Sequence, residues 1–465
     1  MSGSSDNPHT RAIAQFISQI KYEDIPDEVI GRIKLLILDS FGCALYGSDL
    51  EWSRILRTTL AGLDATKACR VWGTTELLSA PHAALVNGTL IQSFELDDVH
   101  RQGVLHVGAV TLPPLLAVAE LRPGFSGRDF LRSAVAGYEI GPRVGKCMGQ
   151  QHIGQGWHSG ATVGVFSAVS GAATALHLSA EQSVHALGIA GTQSSGLMAA
   201  QYGAMVKRMH AGRAAQSGLY GALLAEAGFT GIVDVFESPY GGFCSTFSRS
   251  NDRFNLDELS WQLGRQWETM RISLKFYSCV GSNHTTLDAI RNMQKKTPFG
   301  ADDIASIVVH GSHVTVEHVG WPYKPQGLTS AQLNLSFCVA TLLLEGDVFV
   351  DQFTDAVVND RKRIELSKRV SVVHDPSITA QGSNYRHKVR VEVHLKNGVK
   401  LEQTVETPRG SESNFASEAD IVQKFKKLAT HTVRAAQADT IVNLVLGAEK
   451  LARAEQVAQA LASHV

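Results

Sequence analysis

Four short stretches of the chain hold side chains able to move protons or to hold an anion. The first is Glu95-Leu96-Asp97-Asp98-Val99-His100, followed by His106-Val107-Gly108. Its neighbouring carboxylates and imidazoles could serve one substrate as acid and base. Gly156-Trp157-His158-Ser159-Gly160 places a second imidazole at the mouth of a charge-free segment. In Lys207-Arg208-Met209-His210-Ala211-Gly212-Arg213 a helix would bring Lys207 and His210 to one face at i and i+3, with Arg208 pointing elsewhere. The fourth stretch runs from Lys275-Phe276-Tyr277 to His284, which opens a helix continuing through Leu287 and Ile290. Backbone N–H groups beside that imidazole suit anion binding or acid catalysis. Each group has a plain alternative as a surface carboxylate, a satisfied core imidazole, a solvated cation or a capping residue.

The distribution of charge favours the chemical reading. Between Lys146 and Lys207 the only formally charged residue is Glu181, so this segment reads as packed interior rather than surface. Cations that end such a segment need an anionic partner, because an unpaired buried ammonium or guanidinium is costly. Lys207 and Arg208 therefore mark a candidate anion site.

Helical periodicity runs from the start to about Trp267. Asp27 and Glu28 suit a helix start, and Val29, Ile33, Leu36 and Ile37 repeat on one face. The stretch before Asp97 reads as an apolar helix from near Pro81, with the paired carboxylates at its C-terminus. From Ile304 to Val319 the pattern turns to strand, and a hairpin follows in which Val389, Val391, Val393 and Leu395 alternate with polar residues before Asn397-Gly398. Helical segments are expected after His284 and from Ser330 to Leu344, and Ser417 with Asp420 spells a capping box. The expected architecture is mostly α with a smaller α+β domain. Residues 1–267 and 409–465 form a large helical domain, and residues 268–408 form the insert.

Composition excludes several classes. With 43 Lys plus Arg against 44 Asp plus Glu, the chain lacks the basic excess of a nucleic-acid or membrane-surface binder. The six cysteines have no paired spacing and read as reduced thiols. No phosphate-binding loop, dinucleotide fingerprint or nucleophile elbow occurs, and Asp97-Asp98-x-His100 alone does not make a metal site, so no metal is expected. Met1-Ser2-Gly3-Ser4-Ser5-Asp6 is not a secretory leader, which points to a cytoplasmic location with a mitochondrial one open.

Taken in order, these motifs resemble the MmgE/PrpD family, whose members include 2-methylcitrate dehydratases and cis-aconitate decarboxylases. The resemblance rests on Leu38-Asp39, Asp97-Asp98 with His106, Gly156-Trp157-His158, Met205 to Gly212, Tyr240-Gly241-Gly242-Phe243, and Lys275-Phe276-Tyr277 leading to His284. The run from Gly196 to Gly203 is most similar to the fungal decarboxylases. His106-Val107-Gly108 departs from the His-Pro-Gly of many members, and Cys279-Val280 departs from a paired cysteine. The resemblance implies an all-helical domain with an α+β lid, a homodimer, and a site in the cleft between the domains. It implies catalysis without a cofactor by Asp97, His106, His158, Lys207 and His284. Substrate binding is assigned to Asp98, Lys207, His210, Lys275 and Tyr323. A tricarboxylate fits such a site, either decarboxylated from cis-aconitate to itaconate or dehydrated from a 2-methylcitrate or longer alkylcitrate. Epimerisation of a substituted dicarboxylate, or binding of an organic acid without turnover, uses the same groups.

Overall fold

Val29, Ile33, Leu36 and Ile37 form the buried stripe of helix α1 (Asp27–Gly47), whose first turn carries Asp27 and Glu28 against the positive helix end. The computed structural model describes residues 7–149, 151–202 and 204–462, which sort into two units. The first comprises Met1–Ser93, Asp97–Ser273 and Ser417–Val465. After α1 come α2 (Ala80–Ile91), α3 (Val107–Leu121), α4 (Gly127–Met148), α5 (Gly164–Ala175), α6 (Ala180–Gly191) and α7 (Val206–Glu226). The charge-poor segment supplies α5, every residue of which is buried, and α3, α4, α6 and α7 pack around it. A helix enclosed on all sides offers no face to water, which is why this stretch carries no charge.

Small residues set the helix spacing. A Cβ on Gly88 of α2 would lie 2.7 Å from the Cα of Gly212 in α7, and one on Gly212 would lie 2.0 Å from the Leu85 carbonyl oxygen. The two helices therefore touch backbone to backbone. Two short antiparallel strands, β1 (Val99–His100) and β2 (Ile272–Ser273), tie the loop after Asp98 to the end of the helical segment.

The second unit comprises Phe94–Leu96 and Leu274–Ala416. Its four-stranded sheet has the order β4-β3-β5-β6, with β3 (Ile304–Gly311) parallel to β4 (Val370–His374) and antiparallel to β5 (Val389–Leu395). β5 turns through Asn397-Gly398, with φ +86° at the glycine, into β6 (Lys400–Val405). The alternating Val389, Val391, Val393 and Leu395 are the buried side of that hairpin, against which α8 (Gly281–Lys296) packs, with α9 (Leu335–Glu345) on α8.

Two expectations for this unit need correction. The strand expected to reach Val319 ends at Gly311, because Ser312 accepts from the Thr315 N–H and starts the helix His313–Val319. The helix expected from Ser330 to Leu344 is two, Leu328–Leu333 and α9, separated by Asn334, whose side chain caps α9 by accepting from the Phe337 N–H. Chain from Ser417 returns to the first unit, where the Ser417–Asp420 capping box opens α10 (Glu418–Ala429) and α10 packs on α1. The breaks between units fall at Ser273 and Ser417, against 267 and 409 expected from the sequence. Among the described residues no helix is long and apolar enough to cross a membrane. The first six residues, read above as no leader, and Gly203 lie outside the described residues.

Candidate functional site

Asp97 and Asp98 do not end a helix, as the sequence pattern had them. α2 stops at Ile91, a 3-10 turn spans Gln92–Phe94, and Glu95 turns the chain at φ +57°. The carboxylates stand in the loop beyond, free of the negative helix end. Asp97 is fully buried, and its Oδ2 lies 3.0 Å from Nδ1 of His106. His106 occupies the N-cap of α3 with extended backbone and no capping bond from its side chain, so its ring leaves the helix axis and turns to Asp97.

Asp98 does something different. It accepts from the Gly108 N–H at 3.0 Å and from the Tyr138 hydroxyl at 2.9 Å, so it holds the first turn of the helix that carries His106. Burial, reinforced by the charge of Asp97, pushes Asp98 up to about 7, against the two hydrogen bonds. The loop between Asp98 and His106 is pinned through His100. Its Nδ1 accepts from the Gly103 N–H at 2.9 Å and its Nε2 lies 3.0 Å from Glu268, which also receives Lys146 Nζ at 2.9 Å. Against the upward push of burial, His100 and Lys146 hold Glu268 down to about 2.

His158 repeats the device used for His106. It caps the short helix Ser159–Thr162 with extended backbone, and its Nδ1 faces Nδ1 of His210 at 3.1 Å. One of these nitrogens must donate and the other accept, so the two rings share a single proton across that contact. His210 stands on α7 three residues after Lys207, and burial, then the Lys207 charge, lowers it from the ordinary histidine value. The Gly196 carbonyl accepts from the His158 N–H, and Gln92 at the end of α2 accepts from the Ala211 N–H at 3.3 Å, which links the loop leading to Asp97 with α7. Lys207 is half-buried in the first turn of α7, whereas Arg208 is buried with its guanidinium 5.8 Å over the Trp52 ring. Helical spacing thus gives the two side chains different surroundings.

The remaining expected residues belong to the second unit. His284 is the fourth residue of α8 and fully enclosed, with its Nε2 at 3.2 Å from the Cys279 carbonyl oxygen and its ring edge-on to Tyr277. Lys275 donates to the Glu95 carbonyl at 3.2 Å and lies 3.6 Å from its carboxylate. Tyr323 donates its hydroxyl to the Val358 carbonyl at 3.0 Å.

Near Asp97 and Asp98 lie Lys424 and Tyr138, which sequence reasoning passed over, and Asp39, which it named only as part of the Leu38-Asp39 motif. Asp39 of α1 and Lys424 of α10 form a fully buried ion pair at 2.6 Å, and Tyr138 reaches Asp98 from α4. A signal for the pair existed, since Lys424 interrupts the buried stripe Ile421, Phe425 and Leu428, where a lysine needs a partner. Among the described residues no cluster of histidine, cysteine, aspartate and glutamate could hold a metal ion.

A predominantly helical unit that brings a carboxylate–imidazole pair and an imidazole pair beside a lysine, together with a unit built on a small mixed sheet, defines a two-part protein with acid–base side chains gathered in its helical part. The chain belongs to the MmgE/PrpD family, whose N-terminal domain matches residues 11–255 and whose C-terminal domain matches residues 277–448. It is 35% identical to a cis-aconitate decarboxylase-like protein of Aspergillus oryzae over 95% of this chain and 94% of that one. It is 33% identical to a cis-aconitate decarboxylase of Aspergillus terreus over 95% and 93%, and 28% identical to the mouse cis-aconitate decarboxylase over 95% and 90%.

Proposed function

We propose that this chain is a lyase that needs no cofactor and converts cis-aconitate to itaconate. The observation that carries the reading is where the proton-handling and cationic groups sit. His106 at the N-cap of α3 meets Asp97 at 3.0 Å, and Lys207 stands in the first turn of α7 on the helix of His210, whose Nδ1 meets that of His158 at 3.1 Å. A lysine at a helix start, on the same helix as an imidazole that shares a proton with a second one, suits a substrate that carries several carboxylates. The full-length similarity to chains named cis-aconitate decarboxylase supports the choice of acid.

The reaction follows from these groups. Lys207 and a protonated imidazole hold the carboxylates that stay. The bond from the methylene carbon to its own carboxylate breaks, carbon dioxide leaves, and the electron pair moves through the double bond into the conjugated acid. A proton then adds to the carbon next to that acid, giving itaconate, so one proton is consumed for each carbon dioxide released. His158 is the proposed donor, acting through Nε2 because Nδ1 is committed to His210. Asp97 orients His106 and balances its charge in the role a carboxylate plays for any catalytic imidazole. The substrate is its own electron sink, which is why the reading includes no metal or organic cofactor.

Two expected binding residues are reassigned in this reading. Asp98 is enclosed by Tyr138 and Gly108, and Lys275 is already engaged by Glu95, so both shape the scaffold rather than meet substrate. His284 remains a candidate proton carrier and Tyr323 a candidate binding hydroxyl, each tested by its own substitution.

The test incubates EDTA-treated protein separately with cis-aconitate and with 2-methylcitrate, following carbon dioxide release and products by NMR. Itaconate with one equivalent of carbon dioxide is expected. Dehydration of 2-methylcitrate without decarboxylation replaces the reading with that of a hydro-lyase, and loss of turnover on EDTA treatment removes its metal-free part. Asp97→Asn and His106→Gln should each lower kcat/KM by about 10²-fold or more, the scale of a lost proton-transfer group.

A further inference from the structure

The buried ion pair beneath Asp97 has no part in the chemistry described so far. Asp39 is completely buried in α1, and Lys424 meets it at 2.6 Å from α10, a helix that the chain reaches only after the second unit is complete. α10 lies close on α1, since a Cβ at Gly42 would stand 3.2 Å from the Phe425 Cα, one residue from Lys424. The next residue of α1, Ser40, presses on the start of α3, because a Cβ at Gly108 would be 2.1 Å from Ser40 Oγ and 2.8 Å from the Tyr138 hydroxyl. Ser40 thus joins the helix of Asp39 to the turn that presents His106, and the charge of Asp97 acts on both Asp39 and Lys424.

The groups facing this turn can be named element by element. α1 contributes Arg32, Asp39 and Cys43, the loop contributes Asp97 and Asp98, α3 contributes His106, α4 contributes Tyr138, and α10 contributes Lys424. Three carboxyl groups share the region with two permanent cations, and Arg32 also donates to the Ile272 carbonyl at 2.6 Å. Without Lys424, Asp39 would keep only the more distant field of Arg32 against that of Asp97. Burial raises Asp39 against the pull of Lys424 and Arg32, whereas at Lys424 burial is outweighed by the attraction of Asp39, Cys43 and Asp97 and the lysine lies above its ordinary value.

We infer that Lys424 is a positioning residue for the Asp97–His106 pair, supplying the buried positive charge that, set against Asp39, fixes the pH range in which the pair holds its working charge. The inference rests on the proposal that this pair is catalytic. It assigns α10 a part in the chemistry, at a position set back from the pair it acts on.

The test compares Lys424→Met, Lys424→Arg, Asp39→Asn and, as a surface control, Lys426→Met, whose lysine pairs in the open with Asp439. The acid limb of the pH profile of kcat/KM is measured well below each variant's melting temperature. Removing a nearby cation makes protonation of the pair easier, so Lys424→Met should move the limb up by about one pH unit, and removing a nearby anion in Asp39→Asn should move it down by about as much. Lys424→Arg and Lys426→Met should keep the original limb. Damage to packing lowers the amplitude of both profiles but does not shift them in opposite directions. Limbs that stay put, or that move together, overturn the inference. Should Lys424→Met fail to fold, Asp39→Asn decides alone, since an unmoved limb there overturns it too. Undiminished activity in Asp97→Asn and His106→Gln overturns the catalytic reading instead, which separates the two failures.

Discussion

The contact between His158 and His210 constrains the chemistry more than any single group does. Two Nδ1 atoms at 3.1 Å accommodate one proton, and burial, then the repulsion of Lys207 on the same helix, disfavours a further proton on His210. Across that contact the pair is one donor and one acceptor. An anion bound by Lys207 would offset that repulsion and let the pair take up a proton, so that substrate arrives together with the condition for acid catalysis. Lys207→Ala should then lower kcat/KM by about 10²- to 10³-fold, the scale of a lost charge-stabilising donor. Its melting temperature should change little, because the lysine is half-buried at a helix start and closes no core. Comparing steady-state rates with thermal melts decides the point, and a large loss of stability without a selective loss of rate would return Lys207 to a structural role.

At the scale of elements, the crossing of α2 and α7 sets the distance between the loop that bears Asp97 and the helix that bears Lys207 and His210. Gly212 cannot accept a side chain, since its Cβ would lie 2.0 Å from a carbonyl oxygen, so Gly212→Ala should destabilise the protein by about 1–3 kcal/mol and lower activity with it. A thermal melt and a rate assay on the same preparation check both. An alanine tolerated without loss would mean the crossing can open. Much of this framework was legible because the signals are local. The α1 stripe, the Asn397-Gly398 hairpin and the Ser417–Asp420 box each follow from residues a few positions apart. The candidate site was legible only as residue types and their order, because His106, His158 and Lys207 stand where an apolar segment begins or ends. What stayed hidden depends on distant partners. The β-branched run to Val319 resembles one strand until Ser312 finds the Thr315 N–H, and Asp97 with Asp98 resembles a helix end until Gly108 reaches back to Asp98. Lys424 and Asp39 are separated by almost the whole chain, and only the packing of α10 on α1 makes them a pair.

For the whole molecule, the buried titratable groups fix how stability depends on pH, and the sign follows from which state holds more protons. Asp98 and Glu139 are both pushed up to about 7, chiefly by burial, so between about pH 4 and 7 the folded chain keeps protons that the unfolded chain releases. Each therefore favours folding less as pH rises through that window. His152 works the other way, since burial lowers it to about 4 and the unfolded imidazole binds a proton up to about pH 6.5, but it is one group against two. Glu268, held at about 2, adds stability above about pH 4.5 and loses it as pH falls toward 2. These opposed slopes place the maximum of stability near pH 5, with a decline toward neutral pH that steepens once His152 no longer compensates. Thermal melts at steps from pH 4 to 8 should show this fall, and Asp98→Asn, which removes one of the retained protons, should flatten it while leaving the loss below pH 4 in place. A melting temperature that rises steadily from pH 5 to 8 would mean that Asp98 and Glu139 are ionised in the folded chain. Asp97 and Asp98 would then be charged side by side, and the cations from Arg32 and Lys424 would have to carry more of the compensation than the geometry assigns them.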